Sequence, residues 1–457
     1  MQDISLNRKF SIFTGKPIRQ CRVVPLSIKG KKRAFLALYS SVFDVDPYVE
    51  MFFFPDDSLH FMAFTEDGAV LWKKDLGLGI VPGVWFCPFI AFDLDGDGDD
   101  EVYYVGNTEP AHPLGVSHYT LDCLDGRTGK FRKRILWPHV DEGREQNLSH
   151  QFRNFILGGY VHGKPRLVCV QGTYGDMFFE CFDENLLVVW EHVVKKTDPG
   201  ARGSHMCPVV DVNHDGVDEI LWGERCIEIQ FGKQLFCADE TTYCGHSDII
   251  MPLRMTDGRY HFFTCRETES TVGPRICDYN EKGELRWGAL QEGHIDLGWA
   301  ARLGDDHALY VMGVRVGHKV CGSTGRFHDK YEEFIFNEET GEQVKVPYQV
   351  YKTLPVDLNG DGYAEIVHGI PSSDGAVFDR FGKEHGNIGG CVALSGKLME
   401  IPGEQMIVYS EDGTISMIHD ENAHDSVFAE DRYGDCFYKH AQKLSGNGYN
   451  WCILGGI

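Results

Sequence analysis

Short apolar runs alternate along this chain with polar stretches rich in Gly, Asp and Asn, and almost no segment carries a helical period. Runs such as CRVVPL, FLALYS, VYYVG and FILGGY are rich in β-branched and aromatic residues and predict buried strands. Three stretches share one layout: AFDLDGDGDDEVYYVG (91–106), PVVDVNHDGVDEILWG (208–223) and LPVDLNGDGYAEIVHG (354–369). Each reads D-x-[D/N]-x-D-G-x-x-E between two apolar runs, so each predicts a hairpin with an acidic turn. Looser versions of the same hairpin recur: CRVVPLSIKGKKRAFLALYS, FILGGYVHGKPRLVCVQG, IIMPLRMTDGRYHFFTCRE, WAARLGDDHALYVMGVR, VALSGKLMEIPGEQMIVYS and, at the end, HAQKLSGNGYNWCILGG. After most of them comes a second hairpin of another kind, for example LHFMAFTEDGAVLWKKDL or ICDYNEKGELRWGAL.

Two alternating hairpins at a period of about 40 to 65 residues amount to four antiparallel strands per repeat. The pattern predicts an all-β chain, residues 1–457 as one β-propeller domain with FG-GAP-like repeats. Eight blades are expected, with seven the alternative count, and the N-terminal strand closes the ring against the last blade.

Oxygen ligands at alternate positions around a Gly bend suit a hard cation such as Ca²⁺. The candidate ligands are Asp93, Asp95, Asp97 and Glu101; Asp211, Asn213, Asp215 and Glu219; and Asp357, Asn359, Asp361 and Glu365. The alternative is an acidic hairpin turn that binds no ion. The flanks are strands, so these are not EF-hands. Strand direction puts all three turns at one end of the propeller and the residues around each hairpin's base at the other, the mouth of the channel. Residues at that mouth include His118, His150, Tyr174, Arg202, His205, Arg225, His246, Arg266, His294 and Arg315.

The formal charge of −24 argues against nucleic acid, which needs clustered Lys and Arg. A ring of His and Arg on so acidic a chain is instead the local positive field that an anionic ligand requires. No apolar run has the length of a membrane span or signal peptide, so a soluble cytoplasmic protein is expected, or a secreted one if a leader precedes the chain. The fifteen cysteines are odd in number and mostly sit inside strands, which favours buried thiols over disulfides. Cys226, Cys237, Cys244, His246 and Cys265 fall close enough in sequence to form a structural Zn²⁺ site, the alternative again being free thiols. There is no nucleophile elbow, Walker loop or HExxH motif. His, Tyr and Arg suit proton abstraction beside a carboxylate: Arg neutralises a uronate, and His or Tyr serves as base and acid.

Acidic FG-GAP-like blades entered through Gly-His-x-Asp resemble the β-propeller polysaccharide lyases: rhamnogalacturonan lyases of family 11, ulvan lyases of families 24 and 25, and rhamnose–glucuronate lyases. The resemblance implies β-elimination of a uronic-acid-containing oligosaccharide. The alternatives are a rhamnosidase-like glycoside hydrolase and a non-catalytic calcium-dependent glycan-binding propeller. Ulvan-type members carry two His, a Tyr and an Arg, then a C-x-H of a structural zinc site. By that resemblance His118 and His150 are the two His, Arg225 the carboxylate-neutralising Arg, and Cys244-Gly-His246 the C-x-H. No Tyr precedes Arg225 where one is expected; His205 stands there, with Tyr174 a displaced candidate.

Overall fold

The computed structural model describes the chain except residues 1–2, 32, 47–54, 110, 112–118, 139–151, 269–272, 318, 323–324, 329 and 452–457, and except the side chains of 319–322 and 325–327. It is an eight-bladed propeller of four-stranded antiparallel sheets. The blades occupy 20–75, 89–136, 154–194, 209–237, 247–289, 295–344, 354–387 and 391–420 in chain order. The eighth is completed by the N-terminal strand Leu6–Phe13, which pairs with Thr414–Asp420 as its outermost strand. Blade 6 carries an extra two-stranded ribbon, Lys319–Gly322 with Gly325–His328, between its second and third strands.

Inner strands such as Phe89–Phe92 and Ala34–Ser40 are buried along their whole length, covered by a neighbouring blade on each face. Neighbouring blades are locked by a repeated device. Trp72, Trp190 and Trp287, on the outer strands of blades 1, 3 and 5, each donate Nε1–H to a backbone carbonyl in the outer turn of the next blade: Gly126 at 2.8 Å, Ile229 at 2.7 Å and Glu338 at 2.6 Å. Each indole lies flat on a turn glycine with positive φ: Gly129, Gly232 and Gly341. A side chain there would meet the ring and strain the backbone.

One expected hairpin does not form among the described residues, which reach Trp451. HAQKLSGNGYNWCILGG has no sheet to join, because Leu6–Phe13 already holds the last edge of blade 8. The C-terminal segment instead forms two helices, α1 (Val427–Gly434) and α2 (Cys436–Lys443), capped by the Ser426 hydroxyl and the Asp435 carboxylate. Phe437, Tyr438, Ala441 and Leu444 make one apolar face, a helical period too short to stand out in the sequence. The segment starts against the blade 7 turn, where Ser426 N–H donates to Gly360 O at 2.7 Å. It then threads the channel, α2 and the turn after it lying against the innermost strands of blades 8, 1, 2 and 4. Asn447 accepts from Ile156 N–H and donates to Phe89 O, and Asn450 both accepts from and donates to the Cys207 backbone. It emerges at the mouth, where Tyr449 N–H donates to His205 O at 2.8 Å. Among the described residues, no helix is long and apolar enough to cross a membrane.

Candidate active site

The mouth cluster is built where two chain segments enter adjacent blades side by side. Ser204 and Ser247, leading into blades 4 and 5, form a parallel bridge, with His205 N–H donating to Ser247 O and Ser247 N–H to Gly203 O, both at 3.1 Å. Gly203 holds positive φ with the Trp222 indole against it, so the bend cannot take a larger residue there. The bridge fixes His205 opposite His246 and Asp248. Tyr174, from the mouth loop of blade 3, enters with φ of 80° and its N–H bonded to Arg202 O. That left-handed backbone is uncommon for a bulky residue and is held here by the blade 4 entry segment.

The side chains converge on Glu267. His246 Nε2 lies 2.5 Å and His205 Nε2 3.8 Å from its Oε2, and His294 Nε2 lies 3.1 Å from its Oε1. The far ring nitrogens are also held: His205 Nδ1 by Asp248 at 3.0 Å and His246 Nδ1 by Thr268 Oγ1 at 2.8 Å. Such outer partners fix the imidazole orientation. The Tyr174 hydroxyl lies 2.9 Å from His205 Nε2, and its ring packs edge-on to His246 at 3.9 Å. Arg153 stacks over Trp85 at 4.7 Å and Tyr174 at 5.4 Å, with Asp46 at 3.6 Å. Its Nε and Nη1 are buried without a hydrogen-bond partner among the described residues. Trp85 and Tyr449 close the other side of His205.

Burial, reinforced by the Arg153 charge, pushes the His205 imidazole well below its usual range, so it rests neutral. Burial also pushes the Tyr174 phenol well up, against the pull of Arg153. For Glu267 burial opposes the charge, but His246 beside it, with His294 bonded to its other oxygen, holds the carboxyl well below the usual range. Asp248 goes the other way, raised by burial and by the nearby Asp296 and Glu267 carboxylates. A neutral imidazole, a neutral phenol, a carboxylate and a guanidinium therefore share one buried site. That set can move a proton, neutralise an anion or ligate a cation.

No family model matches the chain. Two curated relatives from Bacillus subtilis (strain 168) do: rhamnogalacturonan endolyase YesW, 25% identical over 307 residues (57% of this chain and 48% of that one), and rhamnogalacturonan exolyase YesX, 25% identical over 274 residues (53% and 44%). The chain thus spans about half the length of these relatives. The YesW crystal structure superposes with a TM-score of 0.75 at 18% identity, covering 98% of this chain and 80% of that one. A Bacillus licheniformis rhamnogalacturonan lyase superposes at 0.70 with 16% identity, covering 96% and 80%. The chain is similar to rhamnogalacturonan lyases.

Of the mouth residues nominated from the sequence, Tyr174, His205, His246 and His294 come together. His118 and His150 lie outside the described residues. Arg225 does not reach the cluster: its guanidinium is buried and donates to Ala201 O, Pro199 O and Gln234 Oε1, where it holds the entry loop of blade 4. Arg266 is likewise internal, bonded to Glu224, Asp239 and the Tyr279 hydroxyl. Arg202 donates to the carbonyls of Lys195 and Asp198, and Arg315 pairs with Glu332. The guanidinium beside the cluster is Arg153, in HQFRNF, immediately before the inner strand of blade 3. Glu267 was also missed, at the exit of a second strand (TCRE). The strand-direction rule that selected the other mouth residues covers both.

The cysteine set does not assemble. Cys226 and Cys265 point into the blade core, Cys265 Sγ lying 3.9 Å from Met312 O, whereas Cys244 is exposed in a loop. Among the described residues, the groups of three His, Cys, Asp or Glu side chains close enough to share one ion contain no cysteine; turns that use an Asn oxygen, as in blades 4 and 7, are a separate case. The groups are His205–His246–Glu267 at the mouth, His261–Asp278–Glu338 and Asp93–Asp95–Glu101. The second already holds the Arg286 guanidinium, which bonds to all three residues. The first fits a divalent cation: Nε2 of each His faces the Glu267 carboxylate while Nδ1 is engaged elsewhere.

Proposed function

We propose that this propeller cleaves a uronic-acid-containing glycan by β-elimination at its mouth. One observation carries the reading: a buried guanidinium with two free donors, Arg153, packs on a tyrosine whose hydroxyl meets a neutral imidazole. Similarity to two rhamnogalacturonan lyases supports it.

Elimination asks for three things: charge beside the uronate carboxylate, a base for the C5 proton and a proton for the departing oxygen. Arg153 Nε and Nη1 are assigned to the carboxylate. Tyr174 is assigned the proton transfer. Its oxygen takes the C5 proton as its own proton passes to His205 Nε2. The C5–H electrons form the C4–C5 double bond, the C4–O bond breaks, and the same pair returns a proton to the leaving oxygen. Asp248 orients the His205 ring through Nδ1, and the resting proton is assigned to Nδ1 so that Nε2 accepts. A divalent cation on His205, His246 and Glu267 would add positive charge for the developing enolate. It would also compete with the Tyr174 proton for His205 Nε2. We assign Ca²⁺ to the oxygen-lined turns of blades 2 and 4, away from the chemistry.

The test incubates the protein with rhamnogalacturonan, ulvan and rhamnose–glucuronate oligosaccharides, after chelation and with each divalent cation restored. Absorbance of the 4,5-unsaturated uronate should rise with one of them. New reducing ends without that band would mean hydrolysis, and glycan binding without any product would mean a binding propeller.

A further inference from the structure

The acidic turns of blades 4 and 7 share most of their backbone bonds, although Asp211 Oδ1 accepts from Asp215 N–H and Asp357 Oδ1 from Gly360 N–H. Asp211 Oδ2 accepts from Gly216 N–H and Asp357 Oδ2 from Gly362 N–H; Glu219 Oε2 accepts from Val212 N–H and Glu365 Oε2 from Leu358 N–H. Asn213 and Asn359 each accept from the N–H two residues on. The side-chain oxygens left over are treated differently. In blade 4, Glu219 is fully buried and its Oε1 has no partner among the described residues, while the Asn213 amide turns to Asp215. In blade 7 the Asn359 amide makes the same contact to Asp361, at 3.3 Å, but also donates to Glu365 Oε1 at 3.0 Å. Arg432, from α1, places Nη2 2.6 Å from Asp357 Oδ2 and 3.3 Å from Glu404. Asp357, Glu404 and Arg432 are all buried, and Tyr438 of α2 donates to the same Glu404.

We propose that in blade 7 the Arg432 guanidinium stands where blade 4 takes a cation, so that the seat of the channel-threading C-terminal segment needs no metal. An ion in blade 7 would have to displace a buried guanidinium and an amide from the carboxylates that would ligate it. In blade 4 it would meet an unpartnered buried oxygen. The proposal rests on reading the turns as calcium turns and is independent of the lyase reading. The glycan assay can fail without touching it.

Two exposed carboxylates at equivalent positions, Asp215 and Asp361, allow a test that leaves the core intact. Calcium binding to chelator-stripped full-length protein is counted by isothermal titration calorimetry. Asp215→Asn should lose one site or bind it at least tenfold more weakly. Asp361→Asn should match the wild type in number and affinity. A site lost in Asp361→Asn, or none weakened in Asp215→Asn, overturns the proposal. Arg432→Gln, where it folds, should gain one calcium site and a melting temperature that rises on adding calcium; unchanged stoichiometry in a folded Arg432→Gln overturns it as well.

Discussion

At the mouth, Glu267 directs both carboxylate oxygens at imidazoles from neighbouring chain segments, and Arg153 keeps two donors unused. At the opposite end, Asp93 directs its oxygens at the amides of Gly96, Asp97 and Gly98 in its own loop. The two ends use charged groups for different purposes. A carboxylate that closes its own turn is a local device, and its loss is felt as stability. A carboxylate that gathers side chains from several blades is formed only when the ring is complete, and its loss is felt as chemistry.

The largest effect that tests this contrast is expected for Tyr174→Phe. The ring still packs on His246 and only the hydroxyl at His205 is lost. Turnover should fall by about 10²–10⁴-fold, the range for a proton-transfer group, with the melting curve unchanged. Retained turnover in stopped-flow or steady-state assays would remove Tyr174 from the chemistry.

The second test sets two arginines against each other. Arg153→Gln should cost about 10²–10³-fold in kcat/KM, as for loss of a charge-stabilising donor, because no other guanidinium touches the cluster among the described residues. Arg225→Gln should leave kcat within a few-fold and lower the melting temperature instead, because it breaks buried bonds to Ala201 and Pro199 carbonyls. The reverse pattern would restore Arg225 to the role the sequence suggested for it.

That exchange of arginines shows what the sequence carries. Strand runs, turn chemistry and repeat spacing depend on near neighbours, so eight blades, the closing N-terminal strand and the separation of turns from mouth were legible. Which mouth side chain faces the substrate depends on contacts between residues far apart in the chain. His205 and Asp248 lie 43 positions apart and meet only because blades 4 and 5 are adjacent. Arg153 and Arg225 occupy the same class of position by strand direction, and nothing local distinguishes them. The channel-threading helices were hidden for a related reason: α1 and α2 span eight residues each, too few for a period to emerge, and are stabilised by the channel wall.

A third, smaller effect belongs to the blade joints. A Cβ on Gly129 would lie 2.5 Å from the Trp72 ring, at a φ of +67° that a side chain resists. Gly129→Ala should destabilise by about 1–3 kcal/mol and lower the melting temperature. Activity at assay temperature should persist, since the turn lies away from the mouth. Loss of turnover in the folded variant would mean that the two ends are coupled through the ring.

The smallest effect concerns pH at the mouth's edge. Asp57 receives Lys16 Nζ at 2.7 Å, the Ser41 amide at 2.9 Å and the Ser41 hydroxyl at 2.8 Å, with His60 Nε2 at 3.1 Å. Partial burial opposes its charge, but Lys16 and these donors outweigh it and hold the carboxyl well below the usual carboxylate range. A carboxyl lowered by folding contributes stability that is complete above its unfolded pKa, near 4. That stability is lost as pH falls through the folded value, because the unfolded chain then takes up the proton first. Solvent screening at Lys16 limits it to about 1 kcal/mol. Asp57→Asn should therefore lower the melting temperature slightly at pH 7 and shrink the wild-type difference as pH drops below 4. A difference that grows on acidification would show that Asp57 is not held charged by Lys16.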